Sequence, residues 1–188
     1  VIDAPGTLVG EIDILSAEEQ TLLRSFQGTR SENQPEQTVL DLIDRWVEAE
    51  PDRPAVIRND EVITYGDLNR RADRLAGYLR QRFDIGFDDR VAIIHDTSDD
   101  TLTAILATLK TGAAFLAVDT DQVSRRSAFA IDSGARLVIT VSEHASQIPS
   151  SDGWRVVCLD QVTDDIRSME SIEQRRPTAA TDDACFVY

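Results

Sequence analysis

An α/β fold with a mostly parallel sheet flanked by helices is what this sequence predicts, and three observations predict it. Short apolar runs within Arg90–Ile94, Ala114–Val118 and Arg136–Thr140 lack the alternation of a half-wet strand, as strands covered on both faces do. Segments of helical periodicity, roughly 10 to 15 residues long, lie between strands, which is the pattern of βαβ units. The stretch Leu106–Asp119, LATLKTGAAFLAVD, joins a helix to a strand through Gly112, placed where a helix ends in the left-handed conformation.

The elements follow in order. Val1–Leu15 reads as mostly irregular. Ser16 and Glu19 have capping-box spacing, and Leu22, Leu23 and Phe26 share a face, so Ala17–Phe26 is predicted as a short helix packed on a neighbouring domain. Gln27–Gln37 is polar and aperiodic and reads as a linker. Thr38 with Asp41 caps a helix whose stripe is Val39, Leu42, Ile43 and Trp46, and Pro51 and Pro54 stop it. Ala55–Ile57 and Val62–Thr64 form a hairpin around Asn59 and Asp60. Thr64 and Asp67 cap the cleanest helix, with Leu68, Ala72, Leu75, Ala76 and Leu79 inside and Arg70, Arg71, Asp73 and Arg74 on a solvated outer face. After the strand Arg90–Ile94, Thr97 or Ser98 caps a helix through Leu102, Ile105, Leu106 and Leu109. The strand Ala114–Val118, a weaker helix over Val123–Ile131 closed by Gly134, and strands over Arg136–Thr140, Trp154–Leu159 and Cys185–Tyr188 complete the alternation. Gln161–Asp183 reads as a polar, acidic surface connection.

Composition excludes several function classes. The 188 residues carry 19 Lys and Arg against 34 Asp and Glu, a formal net charge of −15. No basic cluster is present to hold a phosphate backbone, so nucleic acid is not an expected partner. No apolar run reaches the roughly 20 residues that span a bilayer, and no signal peptide is recognisable. No membrane partner is expected, and the location expected is cytoplasmic. Cys158 and Cys185 fall in predicted strands, without close Cys or His neighbours, and read as reduced core residues.

Candidate chemistry is sparse. Neither GxGxxG nor GxxxxGK[ST] occurs, and the turn after Ile94 is His95-Asp96-Thr97-Ser98. His95 lies where open α/β sheets bind ligands, but no nucleophile motif stands beside it, so it reads as a loop histidine; His144 lies in a polar loop. The acidic pairs Asp99-Asp100, Asp164-Asp165 and Asp182-Asp183 lack a third metal ligand at workable spacing. Lys110 reads as the cationic partner of a helix C-terminus rather than a phosphate contact. No catalytic, cofactor-binding or metal residue is assigned.

The blocks together resemble the adenylation domain of a nonribosomal peptide synthetase, in the adenylate-forming superfamily. ITYGDLNRRADRLAGYLR (Ile63–Arg80) resembles the family's first core block. LKTGAAFLAVD (Leu109–Asp119) resembles the second, and DACFVY (Asp183–Tyr188) the strand leading into the third. EAEPDRPAVI (Glu48–Ile57) matches the entry into the domain. EIDILSAEEQTLLRSFQGT (Glu11–Thr29) resembles the end of a condensation domain and its linker. The resemblance implies residues 1–28 as a condensation-domain tail, 29–37 as linker, and 38–188 as the N-terminal portion of the adenylation domain, an incomplete N-terminal subdomain. The chain then reads as an excerpt of a multidomain protein.

The resemblance implies an ATP-dependent ligase that joins an amino acid carboxylate to the α-phosphate of ATP with Mg²⁺. The aminoacyl adenylate is then captured by the phosphopantetheine thiol of a carrier domain, in secondary metabolism such as antibiotic biosynthesis. Condensation and carrier domains and the amino acid substrate are the implied partners. The family's phosphate loop would begin after Tyr188, so this segment alone is expected to bind no cofactor and to be inactive. Ala117, Thr120 and Val123 stand where the family has Pro, and Ser127 where it has Leu, while Arg126 keeps its arginine. These departures leave an alternative, a truncated or degenerate module serving as a structural platform for the condensation domain. A standalone acyl- or aryl-CoA ligase would lack the condensation-like tail.

Overall fold

The computed structural model describes residues 15–26, 37–58, 61–95, 99–118, 134–148, 153–169 and 185–186. The chain divides into two compact units, Val1–Pro35 and Glu36–Tyr188. The expected helix over Val123–Ile131, the hairpin tip Asn59–Asp60, the caps Thr97 and Ser98, and the pair Asp182-Asp183 lie outside the described residues.

The first unit contains α1, Ala17–Phe26. Its entry is the predicted capping box. The Ser16 N–H donates to Glu19 Oε2 at 2.8 Å and the Glu19 N–H to Ser16 Oγ at 3.2 Å, which satisfies two donors the helix itself cannot. Leu22, Leu23 and Phe26 are exposed.

In the second unit, α2 (Val39–Ala49) begins with a complete capping box between Thr38 and Asp41. The predicted stripe does not match the buried face. Leu40 is buried and Ile43 packs against the core, whereas Val39, Leu42 and Trp46 are exposed. Apolar residues fill an arc of about half of this helix's circumference, so periodicity alone does not fix which part of that arc turns inward. Trp46 instead stacks on Tyr65, with centroids 6.1 Å apart, and carries the Arg53 guanidinium over its ring at 4.2 Å.

The hairpin pairs β1 (Pro54–Arg58) with β2 (Glu61–Thr64) in antiparallel register, Val56 opposite Ile63 and Ile57 opposite Val62. The chain enters α3, Tyr65–Phe83, through Thr64, whose Oγ1 accepts the Asp67 N–H at 3.1 Å. The Gly66 N–H donates to the Pro51 carbonyl at 2.8 Å, which ties this entry to the turn after α2. Leu68, Ala72, Leu75, Ala76 and Leu79 are all buried, as their spacing predicts.

Among the described residues the main sheet has five strands, β3 (Arg90–Ile94), β4 (Ala114–Val118), β5 (Leu137–Thr140), β6 (Arg155–Cys158) and β7 (Cys185–Phe186), ordered β6-β5-β3-β4-β7. Every pairing is parallel. Helix α4, Asp99–Thr111, connects β3 to β4, and Gly112 after it takes φ 88°. Successive strand residues face opposite ways and feed two cores. Val91, Ile93, Leu137, Ile139 and Val157 join α3 and α4 on one face. Ala92, Ile94, Leu116, Val118 and Val138 join Trp154 and Ile148 on the other. Strand β4 is covered less evenly than expected, because Ala117 is exposed.

Two short helices occupy segments where the sequence predicted none: α5 (Ser142–Ala145) and α6 (Thr163–Ser168). The second begins the polar connection after β6. Ile166 secures it against the core, with Val162 and Met169 at its ends.

Candidate functional site

The chain leaves β3 toward β4 on one side, and leaves β5 toward β6 on the other. The carboxyl ends of β3 and β5 therefore flank the crevice where connections diverge, the usual ligand position in open α/β sheets. His95 sits half-buried directly after β3. Beside the crevice, over the ends of β5 and β6, lies a cavity of about 550 Å³. Leu75 of α3, Val141 after β5, Leu159 after β6 and Ile166 of α6 give it an apolar lining. Its charged lining comes from Arg71 and Arg74 of α3, Arg167 of α6, Asp100 of α4 and Asp160 after β6.

The electrostatics are set by local pairing. Arg71 Nη1 donates to Asp99 Oδ2 at 2.9 Å, and Arg58 approaches the same carboxylate at 3.9 Å. Asp99 in the first turn of α4 also complements that helix's dipole. Arg167 meets the exposed Asp164 at 3.7 Å. The Ser142 N–H donates to Asp160 Oδ1 at 3.0 Å, and Gln161 Nε2 donates to Ser142 Oγ at 2.8 Å. The Ser142 hydroxyl, more than its backbone N–H, holds the Asp160 carboxyl below the usual carboxylate range. Burial, helped by the Asp160 charge, pushes the Cys158 thiol up.

Lys110 and Asp73 are placed differently from expectation. Lys110 Nζ lies 2.7 Å from Asp73 Oδ1, with both side chains nearly buried between α3 and α4. Asn69 Nδ2 donates to Asp73 Oδ2 at 3.2 Å, and Arg80 Nη2 donates to the Lys110 carbonyl at 2.6 Å. Asp73 thus leaves the outer face of α3, and Lys110 is an interhelical ion partner inside the fold. The blocks Ile63–Arg80 and Leu109–Asp119 meet through this polar cluster.

Among the described residues, no group of three or more His, Cys, Asp or Glu side chains could hold a metal ion. No glycine-rich turn follows β5 or β6, and the rim carboxylates face the same cavity as the arginines. No described helix is long and apolar enough to cross a membrane.

Comparison with known proteins identifies the family. The model of the AMP-binding enzyme family matches residues 43–188. The chain is 31% identical over 181 residues to N-(5-amino-5-carboxypentanoyl)-L-cysteinyl-D-valine synthase of Amycolatopsis lactamdurans, covering 96% of this chain and 5% of that protein. It is 35% identical over 150 residues to surfactin synthase subunit 2 of Bacillus subtilis, covering 78% of this chain and 4% of that one. The chain therefore spans about a twentieth of the length of these relatives. Its fold resembles the nonribosomal peptide synthetase FmoA3 in its α-methyl-L-serine-AMP bound form, with TM-score 0.74 and 22% identity over 96% of this chain and 20% of that one. It also resembles the N-terminal subdomain of Klebsiella oxytoca NpsA in complex with 3-hydroxyanthranilyl-AMSN, with TM-score 0.71 and 25% identity over 84% of this chain and 39% of that one. With the family model covering most of its length and a parallel sheet of the same fold beneath it, this chain belongs to the AMP-binding enzyme family.

Proposed function

We propose that the chain is the N-terminal part of a nonribosomal peptide synthetase adenylation domain. In this reading it is the scaffold half of a unit that activates an amino acid with ATP and Mg²⁺ and passes it to a carrier-domain phosphopantetheine. Residues 1–28 are the tail of a condensation domain, and 29–37 are the linker. The observation that carries the reading is the alignment to a peptide synthetase across 181 residues, which extends beyond the family match at 43–188.

The chain's own contribution is positional. Strand β7 pairs with β4 in parallel, so its carboxyl end points the same way as the Val118 end of β4. A phosphate loop following that strand would sit on a frame set by β3, β4 and the α3–α4 pair. ATP–pyrophosphate exchange tests the reading. The 188-residue chain is expected to give none with any proteinogenic amino acid, and the intact parent polypeptide is expected to give exchange with at least one. Exchange by the isolated chain overturns the assignment of the chemistry to residues beyond it. An intact parent silent with every amino acid favours the platform alternative, for which the proline replacements at Ala117, Thr120 and Val123 are the sequence argument.

A further inference from the structure

We propose that the cavity between α3, α4 and α6 binds a small amphipathic anion, one carboxylate or phosphate group carried on an apolar body. The inference goes beyond the proposed activation reaction and does not depend on it. The cavity's volume, about 550 Å³, lies within the range of small-molecule sites. Leu75, Val141, Leu159 and Ile166 offer the apolar body a place out of water.

The charge pattern selects the head group. The molecule is strongly acidic, with a net charge of −15, yet three guanidinium groups converge on this cavity. On α3, Arg70, Arg71 and Arg74 stand at positions three and four apart, where like charges disfavour one another. Arg70 is answered by Asp67 and Arg71 by Asp99. Arg74 makes no ion pair with another described residue, and Arg167 has only a loose contact with a fully exposed carboxylate. These two guanidinium groups have donors to give to an anion, in the planar geometry that suits carboxylate and phosphate. Asp100 and Asp160 on the same lining repel further anionic groups on a ligand, so a single compact anionic group fits and a polyphosphate does not.

Titration calorimetry on the full chain at constant ionic strength tests this, with phenyl phosphate, phenylacetate and the neutral 2-phenylethanol as probes. Saturable one-to-one binding of at least one anion is expected, and which anion binds separates a phosphate from a carboxylate ligand. Arg74→Gln should weaken that binding about tenfold. Asp100→Asn should tighten it, and Arg45→Gln, an exposed arginine outside the cavity, should leave it unchanged. All three side chains are exposed, and thermal melts verify that the variants fold. Absence of saturable anion binding, equal binding of 2-phenylethanol, binding indifferent to Arg74→Gln or Asp100→Asn, or an equal loss in Arg45→Gln each overturns the proposal.

Discussion

Replacing Lys110 by Met separates the cost of breaking a buried ion pair from the worth of having one. Met keeps the length of the side chain and removes its charge. Lys110 and Asp73 are 2.7 Å apart with side-chain exposures of 6% and 12%, so solvent screens them little. At that distance and an effective dielectric of about 20, the gross attraction is roughly 6 kcal/mol. Removing each ion from water costs several kcal/mol, so the net value of the pair is near zero. The single substitution leaves the Asp73 carboxylate buried without its cationic partner, while the Asn69 amide still donates to it. Its expected cost is about 3–5 kcal/mol. The double substitution Asp73→Leu with Lys110→Met removes both charges and should fall within about 2 kcal/mol of the original, the residue being the unmet Asn69 donor. Urea unfolding of the original, both singles and the double gives the full cycle. The reasoning is refuted if Lys110→Met costs under about 1 kcal/mol, or if the double costs as much as the two singles added.

Other positions give sharper local tests. A Cβ at Gly66 would lie 3.1 Å from the Pro51 carbonyl oxygen, so Gly66→Ala should destabilise by about 1 kcal/mol despite alanine's better helix propensity, and a stabilised variant in urea melts would show that the turn yields. Gly112 has φ 88°, so Gly112→Ala should cost about 1–2 kcal/mol by the same measurement, and an unchanged midpoint would contradict the left-handed turn. Because the Asp160 carboxyl is lowered in the folded chain, its contribution is present above its ordinary value of about 4 and is lost as pH falls through the depressed folded value. Asp160→Asn should therefore flatten the acid end of the stability–pH profile below about pH 4, and an unaltered profile there would count against the Ser142 contact.

What could be read from residues alone follows from where the ordering information resides. The Gly112 turn, the caps at Ser16, Thr38 and Thr64, and the apolar strands are local patterns, and each element forms where its pattern lies. The Asp73–Lys110 pair is tertiary. A charged residue amid Arg70, Arg71 and Arg74 looks solvated until α4 is laid across it, and nothing in the spacing announces that contact. Helix α6 has one apolar residue within its span, Ile166, between the anchors Val162 and Met169, which is too little for a period to emerge. The cavity was hidden for both reasons at once. Two of its arginines belong to a face that reads as solvated, and the third lies in a connection that reads as structureless.

The unequal loops between paired strands have a kinetic corollary. Among the described residues, β4 runs alongside β3 from Arg90 opposite Ala114 to Ile94 opposite Val118, and meets β7 at Phe115 with Cys185 and Leu116 with Phe186, far further along the chain. A seam closed over a longer stretch of chain costs more entropy to close. The sheet should nucleate at β3 and zip outward, with the β7 margin joining last and opening first in hydrogen exchange.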